Sequence, residues 1–235
     1  MRKTWKAFAF DFDGTLVDSY SCLPAIYRSI AKQIGLPREM IGRFVKKAIE
    51  YEDMHDYLGN YDRKTWWPDL FAEFDIKHEE EFLDKLLKKF WEMRAEKSTV
   101  IEGCTEVLEV LKNKGFVLVI IAGNDGQKSI KRMRIEKSGL AKYFDNILIV
   151  GEDVRTRVEA IEFVARNYKL DFNEIVFVDD KPSPINEVKA AVKEIVTVKV
   201  EFEGILKLAW KEKCKTDFVI NHIKNLLEVC ELSLL

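Results

Sequence analysis

Five short apolar runs constrain this chain more than any other feature. They fall at Ala7–Phe10, Phe116–Ile121, Ile147–Val150, Ile175–Val178 and Ile195–Val200. None alternates apolar with polar residues, so each reads as a strand buried on both faces. Helical patterns lie beside them. Val107, Leu108 and Leu111 share a face, as do Val158, Ile161, Phe163, Val164 and Tyr168, and Ile185–Val192 is a shorter example. Strands alternating with helices build βαβ units. The expectation is an α/β fold: a Rossmann-like core whose parallel sheet is flanked by helices. A last strand is expected at Thr216–Ile220, followed by an amphipathic helix through Ile223, Leu226, Leu227 and Cys230.

The interval between the first two runs breaks the alternation. From Asp18 to Lys97 no strand pattern is visible. Ile26, Ile30 and Ile34 fall at helical spacing, as do Ile41, Val45 and Ile49, and Phe82, Leu86 and Phe90 beside Leu83, Leu87 and Trp91. Breaks fall at Gly35-Leu36-Pro37, Gly59-Asn60 and Trp67-Pro68. A crossover needs only about a dozen residues, so this block is expected to be an inserted helical cap. The organisation read from the sequence is a core of residues 1–17 and 98–235, with a cap of residues 18–97.

Composition narrows the class. The formal net charge is −2, which argues against a nucleic-acid partner. No apolar run approaches the roughly 20 residues of a membrane span. The basic start Met1-Arg2-Lys3-Thr4-Trp5-Lys6 runs quickly into carboxylates, unlike a signal peptide. Cys22, Cys104, Cys214 and Cys230 are scattered and form no CxxC pair. A cytoplasmic protein, monomer or homodimer, with no membrane and no nucleic acid is expected.

The chemistry concentrates at Asp11-Phe12-Asp13-Gly14-Thr15-Leu16, directly behind the first apolar run. A buried strand of an open α/β sheet points its carboxyl end at the ligand crevice. Carboxylates at i and i+2 project to one side of an extended chain. Two such charges repel unless a cation lies between them or one keeps its proton. Gly14 permits a sharp turn. An ordinary Asp-Gly turn ending a strand is the plainer alternative.

With these residues and the inserted helical block, the chain resembles the haloacid dehalogenase superfamily, phosphatase branch, whose signature is DxDx(T/V) after the first core strand. The resemblance implies Asp11 as a nucleophile forming an aspartyl-phosphate. It implies Asp13 as general acid and then base, with a raised pKa, while Asp11 stays ionised. The Asp13 backbone carbonyl would also ligate metal, and Thr15 would meet the phosphate. The family's second motif, a Ser or Thr ending the second strand, is absent from Ile120-Ile121-Ala122-Gly123-Asn124. Gly123 backbone and Asn124 are the candidate replacement donors. The third motif, a cation, falls best on Arg155, with Arg157 close behind. The fourth is Asp179-Asp180, with Asp180 the expected direct ligand and Asn186 the candidate for a missing trailing acid. An all-oxygen site of three carboxylates suits Mg²⁺.

The resemblance therefore implies a Mg²⁺-dependent phosphohydrolase acting on a small phosphorylated metabolite, a phosphomonoester. A 2-haloacid dehalogenase or phosphonate hydrolase on the same scaffold, or a catalytically weak binding protein, are the alternatives. The presence of Asp13 speaks against the dehalogenase. His55, His78 and His222 are expected at the surface, the basic stretch Lys128–Lys137 on a solvated helix face, and Tyr57, Tyr61, Trp66 and Trp67 in the cap core.

Overall fold

A computed structural model describes residues 5–232. The starting Met1-Arg2-Lys3-Thr4 of the basic N-terminal stretch lies outside the described residues. The chain enters as strand β1 (Ala7–Phe10), then a two-residue strand β2 (Val17–Asp18). Four helices follow: α1 (Leu23–Gln33), α2 (Arg38–Tyr57), α3 (Trp67–Ala72) and α4 (Glu80–Lys97). Strand β3 (Thr99–Val100) leads back to α5 (Cys104–Asn113), β4 (Val117–Gly123), α6 (Ile130–Lys137), β5 (Asn146–Val150), α7 (Arg157–Tyr168), β6 (Ile175–Asp179), α8 (Pro182–Ala191), β7 (Val196–Val200), β8 (Phe218–Ile220) and α9 (Leu226–Leu232).

Six strands form one parallel sheet in the order β5-β4-β1-β6-β7-β8. The unbroken apolar runs are explained by burial on both faces. Phe8 and Phe10 join a cluster with Val107, Leu108 and Leu111 of α5. Ala7 and Ala9 face the opposite side, with Ile161 and Val164 of α7 and Ile185 and Val188 of α8. Each fully buried side chain of this size contributes roughly 1.5–3 kcal/mol. The sheet order reverses direction around β1. The crevice outside the ends of β4, β1 and β6 is therefore the topological switch point, where open α/β sheets bind ligands.

The four helices between β2 and β3 close around a cluster largely their own, including Tyr27, Phe44, Trp66, Trp67, Phe71, Phe90 and Trp91. Trp66 and Trp67 are buried there, while Tyr57 is exposed. Pro68 sits in the first turn of α3, where its missing N–H costs nothing. A buried ion pair ties the layer together. Arg63 Nε and Nη2 donate to the two Glu52 oxygens at 2.7 and 2.5 Å, and Tyr27 Oη donates to the same carboxylate. Val17 pairs with Val100 and Asp18 with Thr99, antiparallel, so the chain leaves and re-enters the core through a short ribbon. The expected C-terminal helix begins as a 3-10 turn, Ile223–Asn225, before α9.

Candidate active site

Asp11 follows β1, and its N–H donates to Val178 O of β6 at 2.9 Å. Asp179 ends β6, and Asp180 follows it. Each of the three acids offers one carboxylate oxygen, and these oxygens lie within 4.8 Å of one another. Asp179 Oδ2 is buried with no hydrogen-bond partner. Burial raises the Asp11 carboxyl to about 6, Asp13 adding to the rise, and Asp180 to about 7, Asp11 adding to it. Asp179 is pushed well up, by burial and then by Asp11 and Asp180. Three crowded acids with an unsatisfied oxygen fit a hard divalent cation, as the oxygen-only donor set requires. The Asp13 carboxylate is not part of this group.

Asp180 is held from behind. Thr15 Oγ1 donates to its Oδ1 at 3.2 Å, and Trp210 Nε1 to its Oδ2 at 2.7 Å. Thr15 is fully buried and does not line the cavity, so its hydroxyl orients a carboxylate rather than meeting phosphate. Gly14 has φ +85°, and a Cβ there would collide with the Asp180 carboxylate. Of the two acids, Asp179 lines the cavity, while both offer an oxygen to the cluster. Asn186 is no substitute ligand. Its amide bonds the backbone of Lys213 and Lys215, away from the acids.

Asp13 departs most from expectation. Its carboxylate is hydrogen-bonded and ion-paired to both Lys131 and Arg134 of α6. Burial alone would raise its pKa, but Arg134, Lys131 and Arg94 hold it well below the usual carboxylate range. The raised pKa expected of Asp13 is thus not what its partners produce. Asp125 completes the network, accepting Arg134 Nη1 at 3.0 Å and ion-pairing with Lys131 Nζ at 3.1 Å. The basic stretch is therefore not simply a solvated face. Lys131 and Arg134 are buried, because acids at the sheet's end supply their counter-charge. The signal in the sequence was their i, i+3 spacing, which places both on one side of α6.

Of the two arginines expected for the third motif, the structure brings Arg157 and not Arg155 beside the acids. Arg155 has 90% of its side chain exposed and turns to Glu159, with Nε 3.3 Å from Oε2. Thr156 caps α7 by accepting the Glu159 N–H, which leaves Arg155 outside the helix and Arg157 in its first turn. Arg157 lines the cavity, its Nε unpartnered. Burial would lower its pKa, but Asp179 and Asp11 raise it. Gly123 lies beside it, with Nη2 3.6 Å from where a Cβ would stand. The Asn124 side chain is spoken for: Nδ2 donates to Val150 O at 3.0 Å, and Oδ1 accepts the Gly126 N–H at 2.8 Å. It pins the loop, and both Gly123 and Asn124 line the cavity.

The helical layer roofs the site. His55, Asn60, Tyr61, Arg63 and Arg94 line the cavity opposite the acids. His55 is thus not an isolated surface residue, and its ring stacks on Trp66 at 4.8 Å. Lys181, next to Asp180, bonds both oxygens of Asp56 in α2 at 2.8 Å. Asp53 of α2 accepts the N–H groups of Lys207 and Leu208 at 2.7 and 2.8 Å, which anchors the segment carrying Trp210. The cavity is partly open to solvent and offers about 50 Å³. That is room for a few water-sized groups.

The profile of the family described as Haloacid dehalogenase-like hydrolase matches residues 8–198. The chain belongs to that family. It is 26% identical over 200 residues to a phosphoglycolate phosphatase of Vibrio parahaemolyticus, covering 79% of this chain and 80% of that one. It is 23% identical over 230 residues to a phosphorylated carbohydrates phosphatase of Thermotoga maritima, covering 94% and 100%. A structure titled as a putative beta-phosphoglucomutase from Thermotoga maritima superposes with a TM-score of 0.72 at 20% identity, covering 97% and 99%, which speaks to the fold. No helix of the described residues is long and apolar enough to cross a membrane.

Proposed function

We propose that this protein is a Mg²⁺-dependent phosphatase that hydrolyses a small phosphomonoester through an aspartyl-phosphate on Asp11. The carrying observation is the meeting of Asp11, Asp179 and Asp180 at the sheet's switch point, with the Arg157 guanidinium beside them. Asp11, Asp179 and Asp180, with the Asp13 backbone carbonyl, would hold the cation. Bound there, Mg²⁺ supplies charge neutralisation for the phosphoryl oxygens and lowers the Asp11 pKa.

Asp11 would attack phosphorus as a carboxylate while the ester P–O bond breaks and the alcohol departs. Water would then displace Asp11 from phosphorus and release inorganic phosphate, which splits one hard transfer into two. Arg157 pairs with phosphoryl oxygens, and Gly123 leaves the strand end open to them. Asp13, held ionised by Lys131 and Arg134, would accept a hydrogen bond from the attacking water and orient it in the second step. Leaving groups that part as stable anions ask least of Asp13. The helical roof narrows the cavity, and partial exclusion of water would strengthen each of these charges.

The test is phosphate release from an aryl phosphate with and without chelator. Asp11→Asn should lower kcat/KM by roughly a thousandfold or more, and chelation should abolish turnover reversibly. Turnover that ignores both treatments would discard the mechanism. Halide release from a 2-haloacid without Mg²⁺ would favour the dehalogenase instead.

A further inference from the structure

Residues 201–217 join β7 to β8, yet part of this connection packs with the helical layer rather than with the sheet. Leu206 is buried in the same cluster as Tyr20, Trp67 and Phe90, and Phe202 and Trp210 pack against it. The Trp210 ring stands edge-on to Tyr20 at 5.4 Å and beside Phe202 at 6.0 Å. An indole has one polar atom, a donor. Here it is spent on Asp180 Oδ2, at 2.7 Å. Thr15 holds the other oxygen, so both ends of this fully buried carboxylate are tied.

One turn of α2 grips both neighbours of that acid. Asp53 Oδ1 accepts the N–H groups of Lys207 and Leu208, where the 3-10 turn Leu208–Trp210 begins. Asp56 is three positions on and therefore on the same side of the helix. It takes the Lys181 ammonium, which also lies 4.8 Å from the centroid of the Trp210 ring. We propose that Trp210 is a positioning residue of the metal site, and that α2 sets it through Asp53, so that cation affinity depends on how the helical layer is docked. The proposal rests on the cation site of the proposed function and deepens it. A carboxylate held in advance has no rotation left to lose when an ion arrives. Hydrogen bonds that orient a ligating group are worth about 10–100-fold in metal affinity. The coupling runs both ways: a docked layer tightens the ion, and the ion holds the layer down.

Binding of Mn²⁺, followed as free ion by electron paramagnetic resonance, reads this without turnover. Mn²⁺ takes the same oxygen ligands as Mg²⁺. Trp210→Phe keeps a ring and removes the N–H, and should weaken Mn²⁺ binding about tenfold or more. Asp53→Ala removes the acceptor and should weaken it about threefold or more, although Asp53 does not line the cavity. Asp53→Asn loses the same charge but keeps an acceptor oxygen, and should stay within about twofold of the parent. Adding Asp53→Ala to Trp210→Phe should cost no more than about twofold further, because the effect passes through Trp210. A Trp210→Phe protein that binds Mn²⁺ as tightly as the parent overturns the proposal. So does Asp53→Ala with no loss, or with no more loss than Asp53→Asn, and so do losses that add in full. Should Trp210→Phe fail to fold, the two Asp53 variants decide it. A parent that binds no Mn²⁺ removes the cation site and this proposal together. The expected Mn²⁺ losses without phosphate release by the parent would discard hydrolysis alone.

Discussion

Arg155 and Arg157 stand two positions apart at the start of α7, and only Arg157 faces the cavity. The preorganised charge it offers a phosphoryl group is the kind whose removal slows catalysis by roughly 10²–10³. Arg157→Met is therefore expected to lower kcat/KM on an aryl phosphate by about that factor. Arg155→Met is expected to leave it within about twofold, since its side chain is solvated. A steady-state comparison of the two variants decides it, and equal losses would contradict the assignment. At this scale the acids were legible, because Asp11 and Asp179 end apolar strands. The cations were not. Which arginine points inward depends on the helix cap at Thr156 and on how α7 lies against the sheet.

Between elements, the roof and the sheet meet through α2. Lys181 and Asp56 form an ion pair with side chains 13% and 9% exposed. Removing one partner leaves the other charge poorly solvated and is expected to cost roughly 2 kcal/mol or more. Asp56→Asn should lower unfolding stability by about that amount, and adding Lys181→Met should recover part of it. A urea double-mutant cycle measures the coupling, and strictly additive losses would show that the pair contributes nothing. Helices α1, α2 and α4 were visible in the sequence as periodic apolar positions. Their contact with the 201–215 segment was not. That contact runs through Asp53, which satisfies two N–H groups from about 150 residues away in sequence, and no local pattern announces it.

For the whole molecule, the crowded acids link metal, pH and stability. The folded-state pKa values of Asp11 and Asp180 are raised to about 6 and about 7. Between the ordinary carboxylate value and about pH 7 the native site holds protons that the unfolded chain has released. The metal-free protein should therefore lose stability from this site as pH rises through that window. The lowered Asp13, Asp125 and Glu52 act oppositely, and their contribution is lost only at lower pH, as they gain protons. Mg²⁺ binds the ionised form, so its stabilisation should grow with pH. Melting curves with Mg²⁺ and with chelator should nearly coincide at about pH 5 and separate at about pH 8. A separation that shrinks with rising pH would contradict a carboxylate metal site.

By itself, the sequence determined the α/β class, the inserted helices and the acids at the strand ends. Each of these follows from local causes: burial on both faces of a strand, helical periodicity, and the position of a carboxylate behind an apolar run. Only the tertiary structure decided the partners. Lys131 and Arg134 look solvated along the chain, and Arg94 looks like one more charge on a charged helix. Their burial arises because distant segments bring Asp13, Asp125 and Glu52 together and distribute the cations among them. Charge pairing acts through space over a few ångströms, whatever the separation in sequence.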